Sequence, residues 1–139
     1  MLLNFVITAA LSIHSVSAVA YRKTTSKGKA SIPCTQPYCQ FPSSIDCPVN
    51  GGIHITQDAL QNAVLNADRS GHPVDTSAAD YASGLCASTA FHDIPYWATN
   101  LPNSAGVLYY ALASNGTFYY CATMSGYANG WPSSCTENK

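Results

Sequence analysis

The sequence predicts an α+β domain: one long helix packed on a four- to five-stranded antiparallel sheet and stapled by disulfides. Three observations carry that expectation. One run, "ITQDALQNAVLNADRSG", has helical periodicity; a later one, "GVLYYALASNGTFYYCATM", has the composition and turn of a β-hairpin; and six cysteines occur in 139 residues. A single apolar helix stripe and a single hairpin face bury each other most simply as two layers.

The chain opens "MLLNFVITAALSIHSVSAVA". An apolar run ending in small residues reads as a secretory signal peptide over residues 1–20, cleaved after Ala18 or Ala20, although no Lys or Arg precedes it. His14 and several hydroxyl residues interrupt the run, which is too short to span a bilayer, so no membrane segment is expected. Residues 21–33 form a basic, solvated leader carrying Arg22, Lys23, Lys27 and Lys29. The remainder, 34–139, suffices for one domain with a modest core.

All six cysteines, Cys34, Cys39, Cys47, Cys86, Cys121 and Cys135, fall in that domain. An even number in an oxidising compartment implies three disulfides, each contributing about 2–4 kcal/mol. The spacings alone do not choose among the possible pairings. No CxxC pair occurs and no histidines flank the cysteines, so neither zinc nor another cofactor is expected. His54, His72 and His92 share no helix face or strand alternation that would make a metal site.

The formal net charge of −1 conceals an uneven distribution. Beyond Ser31 only Arg69 and Lys139 are basic, against seven acids, which gives the domain −5. Such a surface lacks the cationic stripe that usually supplies nucleic-acid affinity.

Residues 34–52 hold three Cys, three Pro and two Gly, a composition of turns or a short hairpin. In the helix, Thr56 is the expected N-cap and Ile55 with Leu60 the expected hydrophobic staple. Asp58 favours the first turn through the helix dipole. Leu60, Ala63, Val64 and Ala67 make one stripe, and Gly71 and Pro73 are the expected stop. "DTSAADYASGLCASTA" reads as loop or weak strand, and "FHDIPYWA" as a short strand broken by Pro95. In the hairpin, Asn115-Gly116 predicts a two-residue type I′ turn. That turn pairs Leu112 with Tyr119, Tyr110 with Cys121 and Leu108 with Thr123, all six on one face. The tyrosines of this hairpin are read as sheet packing, not as a base-stacking surface. Asn115-Gly116-Thr117 is also a glycosylation sequon at an accessible tip.

These pieces, in this order, resemble the fungal guanyl-specific ribonucleases of the ribonuclease T1 family over about Cys34 to Cys135. The resemblance implies Cys34–Cys47 and Cys39–Cys135 bridges, leaving Cys86 to Cys121. It also locates the family's chemistry, in which a base and an acid exchange protons with the ribose and leaving oxygens beside a cation. The family's "Y-P-H" word falls on His72-Pro73-Val74, so Val74 stands at a histidine position. "E-W-P" falls on Asp93-Ile94-Pro95, which makes Asp93 a shortened base. The strand arginine falls on Leu108, and the histidine of "T-H-T-G" falls on Thr123. Asn129 and Trp131 of "SGYANGW" fall on the loop that lines the base and phosphate site, and Tyr81 on a tyrosine that stacks on guanine. The early Tyr-x-Cys word of mildew members is absent, since Tyr38 and Cys39 are adjacent.

Two of the family's catalytic positions are thus inert together. The resemblance therefore implies a secreted ribonuclease-like pseudoenzyme: a monomeric virulence effector of a plant-pathogenic fungus, delivered into host cells to bind host protein or host RNA. Two alternatives stand beside it. One is an active divergent ribonuclease or ribotoxin using Asp93 with His72 or His92 as proton carriers and Arg69 as the cation. Because His92 and Asp93 are adjacent on an expected strand, they would point to opposite faces. The other is a cysteine-rich secreted structural or adhesion protein.

Overall fold

The computed structural model describes residues 34–80 and 84–139. The expected signal peptide, the basic leader and Tyr81 lie outside the described residues. Within them, the strands are β1 (Cys34–Thr35), β2 (Tyr38–Cys39), β3 (Ser44–Cys47), β4 (Ile53–Thr56), β5 (Tyr96–Asn100), β6 (Val107–Leu112), β7 (Phe118–Met124), β8 (Tyr127–Ala128), β9 (Trp131–Pro132) and β10 (Thr136–Asn138), with helix α1 (Gln57–Leu65) between β4 and β5. Five strands form one sheet in the order β1-β2-β7-β6-β5. Strands β10-β3-β4 form a second sheet, and β8 with β9 a separate ribbon. The fold is α+β with three disulfides, but the large sheet is mixed, because β2 runs parallel to β7. The purely antiparallel sheet expected from the sequence is corrected accordingly: the N-terminal hairpin adds to the free edge of β7 through its second strand.

Thr56 caps α1 as expected, its hydroxyl accepting from the Ala59 N–H at 3.4 Å. The helix is nine residues long and ends at Leu65, well before Gly71. Two side chains stop it there. Asn66 turns its Nδ2 back to the Asn62 carbonyl at 2.9 Å, and the Arg69 guanidinium donates to the Val64 carbonyl at 2.7 Å and the Leu65 carbonyl at 3.3 Å. A cation on the last carbonyls complements the negative end of the helix dipole.

Leu60 and Val64 bury completely against Ile45, Ile55, Leu108, Tyr110, Phe118 and Tyr120, in a core between α1, the small sheet and one face of the large sheet. Each such aliphatic side chain contributes about 1.5–3 kcal/mol. The other face of the large sheet carries a second cluster of Ala78, Cys86, Phe91, Tyr96, Ala111 and Cys121, with Ala79 and Ile94 packed against it. Of the strand expected over "FHDIPYWA", only the part beyond Pro95 forms, as the start of β5, whereas Phe91 ends a 3₁₀ turn, Thr89–Phe91; Pro95 has no N–H to offer a ladder.

The hairpin differs from its expected register in two places. Its loop has three residues, Ser114 to Gly116, closed by Gly116 N–H to Ala113 O at 2.9 Å, with the left-handed φ of 85° on Gly116. Asn115 therefore sits in an ordinary turn followed by a glycine bulge, and Leu112 pairs with Phe118 instead of Tyr119. A second irregularity between Tyr109 and Tyr110 makes Cys121 an extra residue on β7, so Tyr110 pairs with Tyr120. The bulge restores the register beyond it, and Leu108 does pair with Thr123. It also turns Cys121 onto the second cluster, opposite the face expected from strict alternation. The two-residue turn foreseen at Asn115-Gly116 occurs instead at Asn129-Gly130, whose φ values of 53° and 80° join β8 to β9.

The disulfide pairing implied by the resemblance is corrected at two bridges. Cys34 bonds Cys39, which it faces across the β1–β2 hairpin, and Cys47 bonds Cys135. Pairing of Thr136 with Asp46 in β10 and β3 sets Cys135 beside Cys47, out of reach of Cys39. Cys86–Cys121 is formed.

On the outer face of the small sheet, Asp46 accepts from Asn138 Nδ2 at 2.7 Å and meets His54 Nδ1 at 2.7 Å. The hydrogen bond from Asn138, and then that from His54, hold the Asp46 carboxyl below the ordinary carboxylate range. A depressed carboxylate contributes stability above its unfolded pKa and loses it as pH falls through the folded value. Protection factors of the Thr136 and Asn138 amides should therefore fall as pH drops below 3.8, while those of the α1 amides hold.

Candidate functional site

A cleft of about 520 Å³ opens along β7. Tyr96, Tyr109, Gly84, Cys121, Thr123 and Glu137 are among the residues of its walls, together with Ser133 and Ser134. Local sequence explains each wall. Tyr96 and Tyr109 stack at 5.5 Å with nearly parallel rings as a diagonal pair across β5 and β6. Gly84 lies so close to β7 that a Cβ there would come within 2.6 Å of the Cys121 carbonyl, and Leu85 N–H donates to that carbonyl at 2.9 Å. The Cys86–Cys121 bridge pins this wall, and the Cys47–Cys135 bridge brings in the C-terminal segment that carries Glu137.

Among the described residues lining the cleft, Glu137 is the one charged group. Its cross-strand partner is Ile45, so it projects from the core-facing side of β10 toward Tyr120. Burial pushes the Tyr120 phenol far above its ordinary range, and the neighbouring Glu137 charge pushes the same way. Glu137 and Thr123 both lie close enough to the Tyr120 hydroxyl to influence its proton, and Glu137 favours the protonated phenol. A cleft of aromatic edges, hydroxyls and one carboxylate suits a cationic or polyhydroxyl group. It offers a phosphate no cation to neutralise it.

The residues expected from the sequence are scattered across the fold. Leu108 is wholly inside the helix-side core, with relative exposure 0 %. Thr123 is buried opposite it, and its Oγ1 accepts from the Cys135 N–H at 3.0 Å. That bond satisfies a backbone donor beside the Cys47–Cys135 bridge. Thr123→Val should leave the donor unpaired at a cost of about 1–3 kcal/mol, read as a lower urea midpoint with an unchanged slope. Val74 is exposed, as is His72. His92 Nδ1 lies 3.2 Å from Ser77 Oγ, and Asp93 holds a left-handed φ of 64° in the turn before β5. His92 and Asp93 therefore stand at the sheet end near the 113–117 loop, whereas Leu108 pairs with Thr99 farther along. Arg69 is engaged with the helix carbonyls, meets the Tyr110 hydroxyl at 3.2 Å and lies over the Phe118 ring at 5.6 Å.

Asn129 and Trp131 sit in the β8–β9 ribbon, outside the cleft lining. Asn129 supplies a turn conformation, and Trp131 and Tyr127 are about three-quarters exposed, at 75 % and 74 %. They point to opposite sides of the ribbon, because Tyr127 pairs with Pro132 and Ala128 with Trp131. Sequence reading missed Glu137, Ser133 and Ser134. No spacing marks them: the pairing of β10 with β3 places Glu137, and backbone bonds to Ser125 and Gly126 place Ser133.

Among the described residues, no three His, Cys, Asp or Glu side chains converge as a metal ligand set, and no helix is long and apolar enough to cross a membrane. Comparison with family models, with curated proteins and with solved structures finds no match to this chain.

Proposed function

We propose that this chain is a secreted ribonuclease-like pseudoenzyme, a fungal virulence effector that works by binding in the host instead of cleaving RNA. The observation that supports the reading most is the Leu108–Thr123 pair. The two positions that match the family's arginine and histidine hold a core leucine and a threonine whose oxygen caps a backbone N–H. Neither can stabilise a phosphoryl oxygen or return a proton to a leaving group. Arg69 is held at the helix end.

Of host protein and host RNA, the cleft favours protein as the partner. Its charge is a carboxylate, within a domain of two basic and seven acidic residues beyond Ser31, and RNA affinity depends on cations that neutralise phosphates. The experiment is an NMR titration of the oxidised chain with guanosine 3′-monophosphate and with inorganic phosphate. Amide signals of Tyr109, Thr123, Met124 and Ser133 should not move. Saturable shifts at these residues would return RNA to first place as the ligand.

A further inference from the structure

Asn115-Gly116-Thr117, the one N-x-Ser/Thr sequon of the chain, forms the turn between β6 and β7, and the fold treats its two ends differently. The Asn115 side chain is at the exposed tip, whereas Thr117 has relative exposure 0 %. Thr117 Oγ1 donates to Gln36 Oε1 at 2.8 Å, and Thr117 N–H donates to Asn115 Oδ1 at 3.0 Å. Gln36 lies in the β1–β2 turn, which the Cys34–Cys39 bridge closes, and Pro37 O accepts the next N–H, that of Phe118, at 2.8 Å. The N-terminal clasp thus lies across the residue that defines the sequon. A sequon requires a hydroxyl two residues beyond the asparagine, so its transferase must engage that hydroxyl as well as the amide. A hydroxyl that is buried and already donating is not available for this.

We propose that Asn115 is an N-glycan acceptor only before the Cys34–Cys39 clasp closes over Thr117, so that glycosylation and folding compete for the same residue. In the transfer, Asn115 Nδ2 bonds the anomeric carbon of a lipid-pyrophosphate-linked oligosaccharide. The bond from that carbon to the phosphate oxygen breaks, the lipid pyrophosphate leaves with the electron pair, and the amide nitrogen releases one proton to solvent. Nothing is oxidised or reduced. Substitution on Nδ2 leaves Oδ1 free to accept the Thr117 N–H, so a glycan added early is compatible with the finished turn and projects from its exposed tip. This inference is independent of the ribonuclease-like reading and requires only that the unfolded chain meets the transferase.

The test offers the full chain, once oxidised and folded and once kept reduced, to purified oligosaccharyltransferase with its lipid-linked oligosaccharide. The readout is the mass of the peptide carrying Asn115 before and after peptide N-glycosidase. The reduced chain should gain a removable glycan, the oxidised chain should gain none, and Thr117→Val should abolish the gain of the reduced chain. A Cys34→Ser/Cys39→Ser chain that keeps a native near-ultraviolet circular dichroism spectrum should be modified while folded. Equal modification of oxidised and reduced chains overturns the proposal, as does no modification of either. A native-like double-serine chain that stays unmodified overturns the clasp as the gate.

Discussion

A Leu108→Arg chain is expected to lose its cooperative fold and to gain no ribonuclease activity. The substitution introduces the residue type that the proposed ribonuclease-like reading would require here for catalysis. In this fold it instead places a guanidinium among Leu60, Val64, Tyr110 and Tyr120. An unpaired charge at such a position costs about 3–5 kcal/mol, and the leucine's own burial is lost with it. Against a total of about 5–15 kcal/mol for a domain, that is most of the stability. Urea denaturation should show a steep fall in midpoint or no native baseline. A Leu108→Arg chain with wild-type stability and new RNA cleavage would mean that this position opens onto a catalytic surface.

Removing the Cys47–Cys135 bridge by Cys47→Ala/Cys135→Ala should be the next largest loss. The bridge spans 88 residues and joins β3 to the entry of β10, with both cysteines buried. On the chain-entropy account a loop of that size is worth about 4–5 kcal/mol. The Cys34–Cys39 bridge, with a separation of five residues, is worth about 2 kcal/mol on the same account. The comparison also tests the connectivity. Were Cys39 joined to Cys135, removing Cys39 and removing Cys135 would cost the same. Denaturation of both double-alanine chains should therefore give clearly unequal midpoints, with the Cys47–Cys135 chain the weaker.

Local signals were legible where one or two side chains decide the outcome. The start of α1 was readable from Thr56, Ile55 and Leu60, because capping acts within one turn. Its end was not, because Arg69 reaches back from beyond the helix to its last carbonyls. The Leu108–Thr123 pairing was anticipated correctly, although the path to it was not. The three-residue loop shifts the register by one, and the bulge at Cys121 shifts it back. Bulge positions depend on what the extra residue must reach, here Cys86 across the second cluster, and alternation cannot reveal that. The parallel addition of β2 to β7 and the approach of β10 to β3 join segments far apart in sequence. The Cys47–Cys135 pairing and the Glu137 side of the cleft both follow from that approach, so neither left a spacing pattern to read.

A ribonuclease-like pseudoenzyme, as proposed above, would carry no phosphoryl-transfer chemistry. The most direct measurement is cleavage of single-stranded, guanine-containing RNA by the oxidised chain, run beside an Asp93→Ala chain prepared identically. Neither chain is expected to cleave above background, since Asp93 is a turn residue remote from the Leu108–Thr123 pair. Cleavage by the wild-type chain that Asp93→Ala abolishes would contradict it and make Asp93 a catalytic carboxylate.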